Sequence, residues 1–402
     1  MHICFVCREY PPSLRGGGIA SYIKEVAHGL HDAGHRVTVI AASDDTKKEY
    51  IEDNTEGFKV IRLKGGDFVI PQVEGNSILK KFRPLYRFYQ YRSRLRKVIN
   101  SIPDIDIIEV AEYGAENLFL DDIHIPVVVR LHAPSFVLDK MVNQRNDFSI
   151  KGLMKFFLGN QEKKVLHKAK YITSCSLALA KIIHTELAIP LERINVIYNP
   201  IQIERWKYEE KCLNYKNPIR LLLPGTITQL KGGIDLIKAC QILRSEEFDI
   251  ELTLVGKESR YAEFLRTNYA AEQWLTVSGP VEREVLMDMY KSMDIVCVPS
   301  WFENMPMTCI ESMLLGCLVV ATNVGGIPEI ITHGENGFLV DSHSPQQLAA
   351  AIKQVLKLSE DEKKAISNAA RERIITQFSM SKIQSQMLAY YKDVINDFKK
   401  AR

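Results

Sequence analysis

The chain reads as an α/β protein of two similar domains, each a mostly parallel sheet with helices packed on it. Three observations predict this. Strand-like runs alternate with helical runs of about ten or more residues, the pattern that builds parallel sheets. One strand–loop–helix–strand unit occurs twice, from residue 3 and again from residue 220. At 402 residues the chain exceeds one ordinary core, so two domains are the natural division.

In the first half, Ile3 to Cys7 is the opening strand and Gly16-Gly17-Gly18 the loop after it. A helix follows from about Ala20 to Ala33, stopped by Gly34, and Val37 to Ala41 is the next strand. Ile107 to Val110 and Val127 to Arg130 are further apolar runs, ending near Glu112 and His132. The second half repeats the plan: strand and turn over Arg220 to Gly225, helix over Gly232 to Arg244, strand over Ile250 to Val255 ending at Gly256. Pro200 and the turn-forming Asn199 place a linker over Tyr198 to Trp206. The expected domains are therefore 1–198 and 207–378, both Rossmann-like.

Composition limits the function classes. With 46% hydrophobic residues, 25% charged and a net charge of +3, the chain lacks the basic excess of a nucleic-acid binder. No apolar run is long enough to span a membrane and no signal peptide is evident, so a cytoplasmic protein is expected. The eight cysteines are scattered, and Cys4 with Cys7 has no second pair or histidine cluster to complete a zinc site. Buried reduced thiols are expected. Asp104-Ile-Asp106 precedes an apolar strand and follows Ile102-Pro103, which marks a loop boundary rather than a metal site.

One stretch departs from this ordinary composition. Ile78 to Ile99 carries Lys80, Lys81, Arg83, Arg87, Arg92, Arg94, Arg96 and Lys97 without an acid, interleaved with five aromatic residues. Apolar positions at 78, 82, 85, 89, 95 and 99 approximate one helical face. This fits either an anionic membrane interface or a surface helix packed on the first sheet.

The segment from Ser300 to Val320 carries most of the functional signal. Pro306 suits a helix's first turn and Gly316 its close, so a short helix is predicted between them, with Glu303 in the preceding loop and Glu311 on the second turn. First-turn N–H groups, those of Met307 and Thr308 among them, suit a phosphate. Two carboxylates beside a phosphate site suggest a sugar nucleotide, because carboxylates accept from hydroxyl pairs. Leu318 to Ala321 reads as a buried parallel strand, and Asn323 to Glu329 as a turn-rich loop at its carboxyl end, where open α/β sheets bind ligands. Gly16, Gly17 and Gly18 permit close backbone approach to a ligand, or form a flexible loop.

Glu303 to Glu311, followed by Gly325-Gly326-Ile-Pro-Glu329 and Gly334-Glu-Asn-Gly337-Phe-Leu-Val340, resembles the E-x7-E region of family 4 retaining glycosyltransferases. The resemblance covers nearly the whole chain, in the family's order: the glycine loop, His132, the Tyr198–Trp206 hinge, Lys231 and the E-x7-E region. It implies the GT-B fold, two Rossmann-like domains facing across a cleft, with residues 379–402 crossing back to the first. It also implies transfer of a hexose-type sugar from a nucleoside diphosphate (UDP-, GDP- or similar) to a hydroxyl of a glycan or lipid-linked glycan, with retention and no metal. On that resemblance Glu311 holds the ribose, Glu303 a sugar hydroxyl, and Lys231 the diphosphate. Backbone from Asn304 and Met305 through Met307 and Thr308 meets the diphosphate or sugar, Gly16 to Gly18 border it, and His132 faces sugar or acceptor. Glu112 and Arg130 are further acceptor candidates. Thr226 stands where many members have an arginine. That leaves open a donor-binding pseudoenzyme or scaffold, beside a related epimerase or phosphorylase. A bacterial surface polysaccharide or lipopolysaccharide pathway, at the inner face of the membrane, is the expected setting.

Overall fold

The computed structural model describes residues 1–11, 13, 17–43, 50–65, 78–141, 150–210, 213 and 217–402. Gly16 lies outside them, so the first glycine of the triplet has no structural account. The chain divides into two compact units, Met1–Pro200 with Met380–Arg402, and Ile201–Ser379.

In unit 1 the chain runs β1 (His2–Val6), α1 (Gly18–Asp32), β2 (Arg36–Ser43), β3 (Tyr50–Asp53), β4 (Lys59–Lys64), α2 (Ile78–Ser101) and β5 (Ile107–Ala111). It continues through β6 (Val127–Leu131), α3 (Ser135–Met141), α4 (Ile150–Lys168), β7 (Tyr171–Ser174), α5 (Leu177–Leu187) and β8 (Ile194–Val196). The sheet order is β3-β4-β2-β1-β5-β6-β7-β8. Every pairing is parallel except β3 with β4. β1 and β5 are buried along their whole length, as central parallel strands covered on both faces must be. The order reverses between β1 and β5, which opens a crevice at their carboxyl ends.

Unit 2 runs β9 (Ile219–Pro224), α6 (Gly233–Ser245), β10 (Ile250–Val255), α7 (Arg260–Asn268), β11 (Leu275–Ser278), α8 (Arg283–Ser292) and β12 (Ile295–Val298). Then come α9 (Met307–Leu314), β13 (Leu318–Thr322), α10 (Ile327–Ile330), β14 (Phe338–Val340), α11 (Pro345–Lys357) and α12 (Glu360–Phe378). Its all-parallel sheet has the order β11-β10-β9-β12-β13-β14, the doubly wound Rossmann arrangement with its reversal between β9 and β12. One apolar core, including Leu221, Leu223, Leu236, Leu254, Ile295, Val320 and Ile352, fills the space between sheet and helices.

The last helix, α13 (Met380–Lys400), belongs to unit 1. Met380, Ile383, Met387, Tyr391 and Val394 follow helical spacing and join the core beneath α1. Tyr391 and Tyr22 both donate to Glu109, at 2.6 and 2.8 Å, so the buried carboxylate ties α13 and α1 to β5.

The basic stretch forms helix α2, but with a rotated inner face. Pro84, Phe88, Tyr91, Arg92, Leu95 and Ile99 point inward, while Tyr89, expected on the inner face, is exposed. Arg92 is buried because its guanidinium finds acceptors there. It donates to the carbonyls of Ala115 (2.9 Å), Phe88 (2.7 Å) and Gly114, with the Phe88 ring beneath it. The side chains of 78–83, including Lys80, Lys81 and Arg83, lie outside the described residues. The seven described cysteines are buried. Asp106 accepts from the His2 backbone N–H at 2.7 Å, at the amino end of the sheet.

Candidate functional site

The site in unit 2 forms where the strand order reverses. β9 ends at Pro224, and the chain from Gly225 and Thr226 leads through a single 3₁₀ turn, Gln229–Lys231, into α6. β12 ends at Val298 and leads through Ser300 and Glu303 into α9. The two loops are locked together. The Trp301 N–H donates to Leu230 O at 2.8 Å, and Trp301 Nε1 donates to Asp235 at 2.7 Å. Gly232, at φ +70°, lies so near the second loop that a Cβ would come within 1.9 Å of Pro299 O. Parallel topology thus brings Lys231 against Glu303, and their side chains form an ion pair. Ser300 Oγ donates to the same Glu303 carboxylate at 3.1 Å.

The Glu303 backbone is clamped by the following glycine loop. Gly326 N–H donates to Glu303 O at 3.0 Å, and a Cβ on Gly325, at φ +52°, would lie 1.6 Å from that oxygen. Both glycines therefore hold the loop that presents the first carboxylate.

α9 is capped by Pro306, whose extended conformation directs the chain into the helix, and ends before Gly316, at φ +74°. Met307 and Thr308 occupy the first turn, whose N–H groups point out of the helix. Gly225 abuts this turn, since a Cβ on it would lie 3.7 Å from Thr308 Cγ2. Glu311 is on the second turn and accepts from Tyr290 Oη at 3.1 Å. The Asn304 and Met305 side chains are buried, so of these two only the backbone suits a ligand contact.

In unit 1 the expected residues lie at the carboxyl ends of β1, β5 and β6. Gly17 caps α1 in an extended conformation and Gly18 opens the helix; a Cβ on Gly18 would meet nothing within 4 Å. No described neighbour in unit 1 therefore demands glycine at Gly18. His132 is buried against Tyr22, with ring centroids 4.9 Å apart. Burial and then the Arg130 charge hold its pKa well below the usual imidazole value, so it is neutral at neutral pH. Glu112 is fully buried and accepts from the Ala133 N–H at 2.6 Å. Burial, with Glu162 adding repulsion, pushes its carboxyl up to about 8, so it is mainly protonated at pH 7.

Arg130 corrects its expected place among acceptor ligands. It is completely buried, stacks over Tyr22 at 4.0 Å, and donates through Nη2 to Ile197 O (2.8 Å) and Asn199 Oδ1 (2.9 Å). A cation held by these carbonyl and amide oxygens anchors the end of unit 1 instead of facing a substrate.

Sequence reasoning missed Tyr290, Ser300 and Arg8. Tyr290 sits on the buried stripe of α8, and a buried tyrosine needs a partner for its hydroxyl. That was the available signal. Arg8 is buried just after β1, its guanidinium 4.6 Å from the Tyr113 ring centre.

Comparison with known proteins places these observations in a family. Residues 16–205 match the family model "Glycosyltransferase Family 4", and residues 204–373 match "Glycosyl transferases group 1". An uncharacterized glycosyltransferase of Methanocaldococcus jannaschii is 26% identical, over 98% of each chain. Among solved structures, sucrose-phosphate synthase of Thermosynechococcus elongatus aligns with a TM-score of 0.77 at 20% identity, over 98% of this chain and 99% of that one. HepE of Anabaena in complex with UDP-glucose aligns at 0.72 and 19%, over 98% and 100%.

Proposed function

The chain belongs to the family 4 glycosyltransferases, with the GT-B fold, and from that premise we propose that it transfers a hexose from a nucleoside diphosphate sugar, with retention. The observation that carries this reading is the convergence of Lys231, Glu303 and the start of α9 at the carboxyl ends of β9 and β12. UDP-glucose in the HepE complex supports a nucleotide sugar as donor. The acceptor is a hydroxyl of a glycan, free or lipid-linked, in the assembly of a surface polysaccharide or lipopolysaccharide.

Each residue has one task in this proposal. Glu311, steadied by Tyr290, accepts from the ribose hydroxyls. Lys231 and the N–H groups of Met307 and Thr308 take the charge that grows on the diphosphate as the sugar–oxygen bond breaks. Glu303 accepts from a hydroxyl of the donor sugar. Its ion pair with Lys231 keeps both groups in place before the donor arrives, and the diphosphate then competes for the lysine. Positive charge from Lys231 and the helix start makes the reaction independent of metal. With the leaving group stabilised, the acceptor oxygen attacks from the face the diphosphate departs, giving its proton to a phosphate oxygen. No side-chain nucleophile is required. Neutral His132 hydrogen-bonds sugar or acceptor.

The test is a thermal-shift and hydrolysis screen with UDP-, GDP-, ADP- and dTDP-sugars, with EDTA and without metal, beside Glu311→Ala and Lys231→Ala. One nucleotide sugar should stabilise the wild type and be slowly hydrolysed, and both variants should lose the effect. Binding without hydrolysis or transfer would favour a donor-binding pseudoenzyme, which uncharged Thr226, next in the chain to the Gly225 that abuts α9, makes the specific rival. Variants that bind as well as wild type would remove the donor-site assignment.

A further inference from the structure

Helices α2 and α4 meet in unit 1 through aromatic edges. The Phe88 and Phe157 ring centroids are 5.3 Å apart, and those of Tyr89 and Phe157 are 6.3 Å apart. Beneath this contact Phe88, Ala115, Leu158 and Val165 form a small buried cluster, which accounts for the inner faces of both helices. The outer face is not accounted for. Tyr86 is 66% exposed and Tyr89 41% on α2, with Leu153 at 56% and Phe156 at 70% on α4. Scattered apolar side chains on a surface need no explanation, but four large ones on the amino-terminal halves of two touching helices form a patch.

The amino-terminal halves of both helices carry charges of one sign, although Lys155 of α4 is paired with Asp139 of α3 at 3.4 Å. α2 has no acid from Ile78 to Ser101, and α4 has none from Ile150 to Gln161. The first acid of α4, Glu162, is buried and accepts from the N–H groups of Gly114 (2.9 Å) and Ser135 (2.8 Å). Some of α2's bases are used internally: Arg92 on backbone carbonyls, and Arg96 on Phe119 O and Asp122. Arg87 is exposed between the two tyrosines. No described helix is long and apolar enough to cross a bilayer. Aromatic and aliphatic side chains flanked by bases, without a spanning segment, are what an anionic lipid interface receives.

We propose that the amino-terminal halves of α2 and α4 together form a docking face for an anionic membrane surface. Tyr86, Tyr89, Leu153 and Phe156 enter the boundary between headgroups and acyl chains, and Arg87 meets the headgroups. The face requires neither donor nor catalysis, so it stands independently of the donor-site reading.

The test is co-sedimentation of the full chain with vesicles of phosphatidylcholine alone and of phosphatidylcholine with about one-third phosphatidylglycerol, at low and high salt. The double variant Tyr86→Ser/Phe156→Ser and the single variant Arg87→Glu are run beside wild type. Both double-variant sites are exposed, so an unchanged melting temperature confirms folding. Binding should occur on the anionic vesicles, weaken in high salt, and fall about tenfold or more in the double variant. Arg87→Glu should weaken binding severalfold without changing nucleotide binding. Failure to bind anionic vesicles, or equal binding by the double variant, overturns the proposal. So does a dimer in light scattering that the double variant abolishes, because a second copy then covers the patch. Nucleotide binding on the same samples separates this outcome from failure of the donor site.

Discussion

Gly325→Ala should disable the donor site from a position that bears no functional group. At φ +52° an alanine incurs about 1–2 kcal/mol of left-handed strain. Its Cβ would also stand 1.6 Å from Glu303 O, too close to persist, so the two loops must separate. Separation breaks the Gly326 N–H bond to that oxygen, worth about 1 kcal/mol more. The total is about 2–3 kcal/mol, or roughly 4–12 °C in melting temperature for a unit of this size. The larger effect is on function, because the displaced residue carries the carboxylate paired with Lys231, and a shift of about 1 Å at a reacting centre costs about a hundredfold in rate. The assay is donor hydrolysis, or transfer once an acceptor is known, with melting curves on the same samples. Gly334→Ala is the control. Its φ is +80°, but a Cβ there meets nothing within 4 Å, so it carries the backbone strain without the collision. Gly334→Ala should lose stability and keep its rate below the melting point, while Gly325→Ala loses both. Equal rates in the two variants would refute the argument that Gly325 acts by letting Glu303 approach.

Tyr290→Phe removes the hydroxyl that donates to Glu311; it should cost about 1–2 kcal/mol of stability and weaken nucleoside diphosphate binding about three- to tenfold, measured by calorimetry. The same variant should bind the 2′,3′-dideoxy nucleotide as wild type does, an outcome general misfolding would not give. Gly18→Ala should leave stability unchanged or raise it by about 0.4–1 kcal/mol, since the site is unstrained and open; if the glycine serves ligand approach, donor or acceptor affinity drops even so. Glu112→Gln tests the buried acid. Its folded pKa, about 8, lies above its ordinary value of 4.5, so the folded state holds the proton more tightly and wild-type stability falls as pH rises from about 4.5 to 8. Glutamine mimics the protonated form, so melting temperatures at pH 5.5, 7 and 8.5 should show the variant gaining on wild type with rising pH. Parallel profiles would mean that Glu112 does not titrate in that range.

What was legible in the sequence was whatever repeats a local rule. Alternating strands and helices predicted two parallel α/β domains, and Pro306 with Gly316 framed α9 because each serves one end of a helix. The residues that support the site obey no local rule. Tyr290 and Glu311 are 21 positions apart on different helices, and their hydrogen bond exists only because α8 and α9 flank β12. The glycine pair at 325 and 326 was readable as a turn, but not as the clamp on Glu303, since that requires knowing which carbonyl lies beside it. Helix α2 shows the converse limit. Periodicity based on apolar residues put Tyr89 on the inner face and no base there, whereas Arg92 is buried on three carbonyls and the inner face is 84, 88, 91, 92, 95 and 99. A long basic side chain can enter a core wherever backbone acceptors are left over, and the Gly114–Ala115 turn supplies them. The same inner face leaves Tyr86 and Tyr89 at the surface, Tyr89 against Phe157 of α4, so the burial of Arg92 accompanies both the misread face and the apolar residues assigned to the membrane.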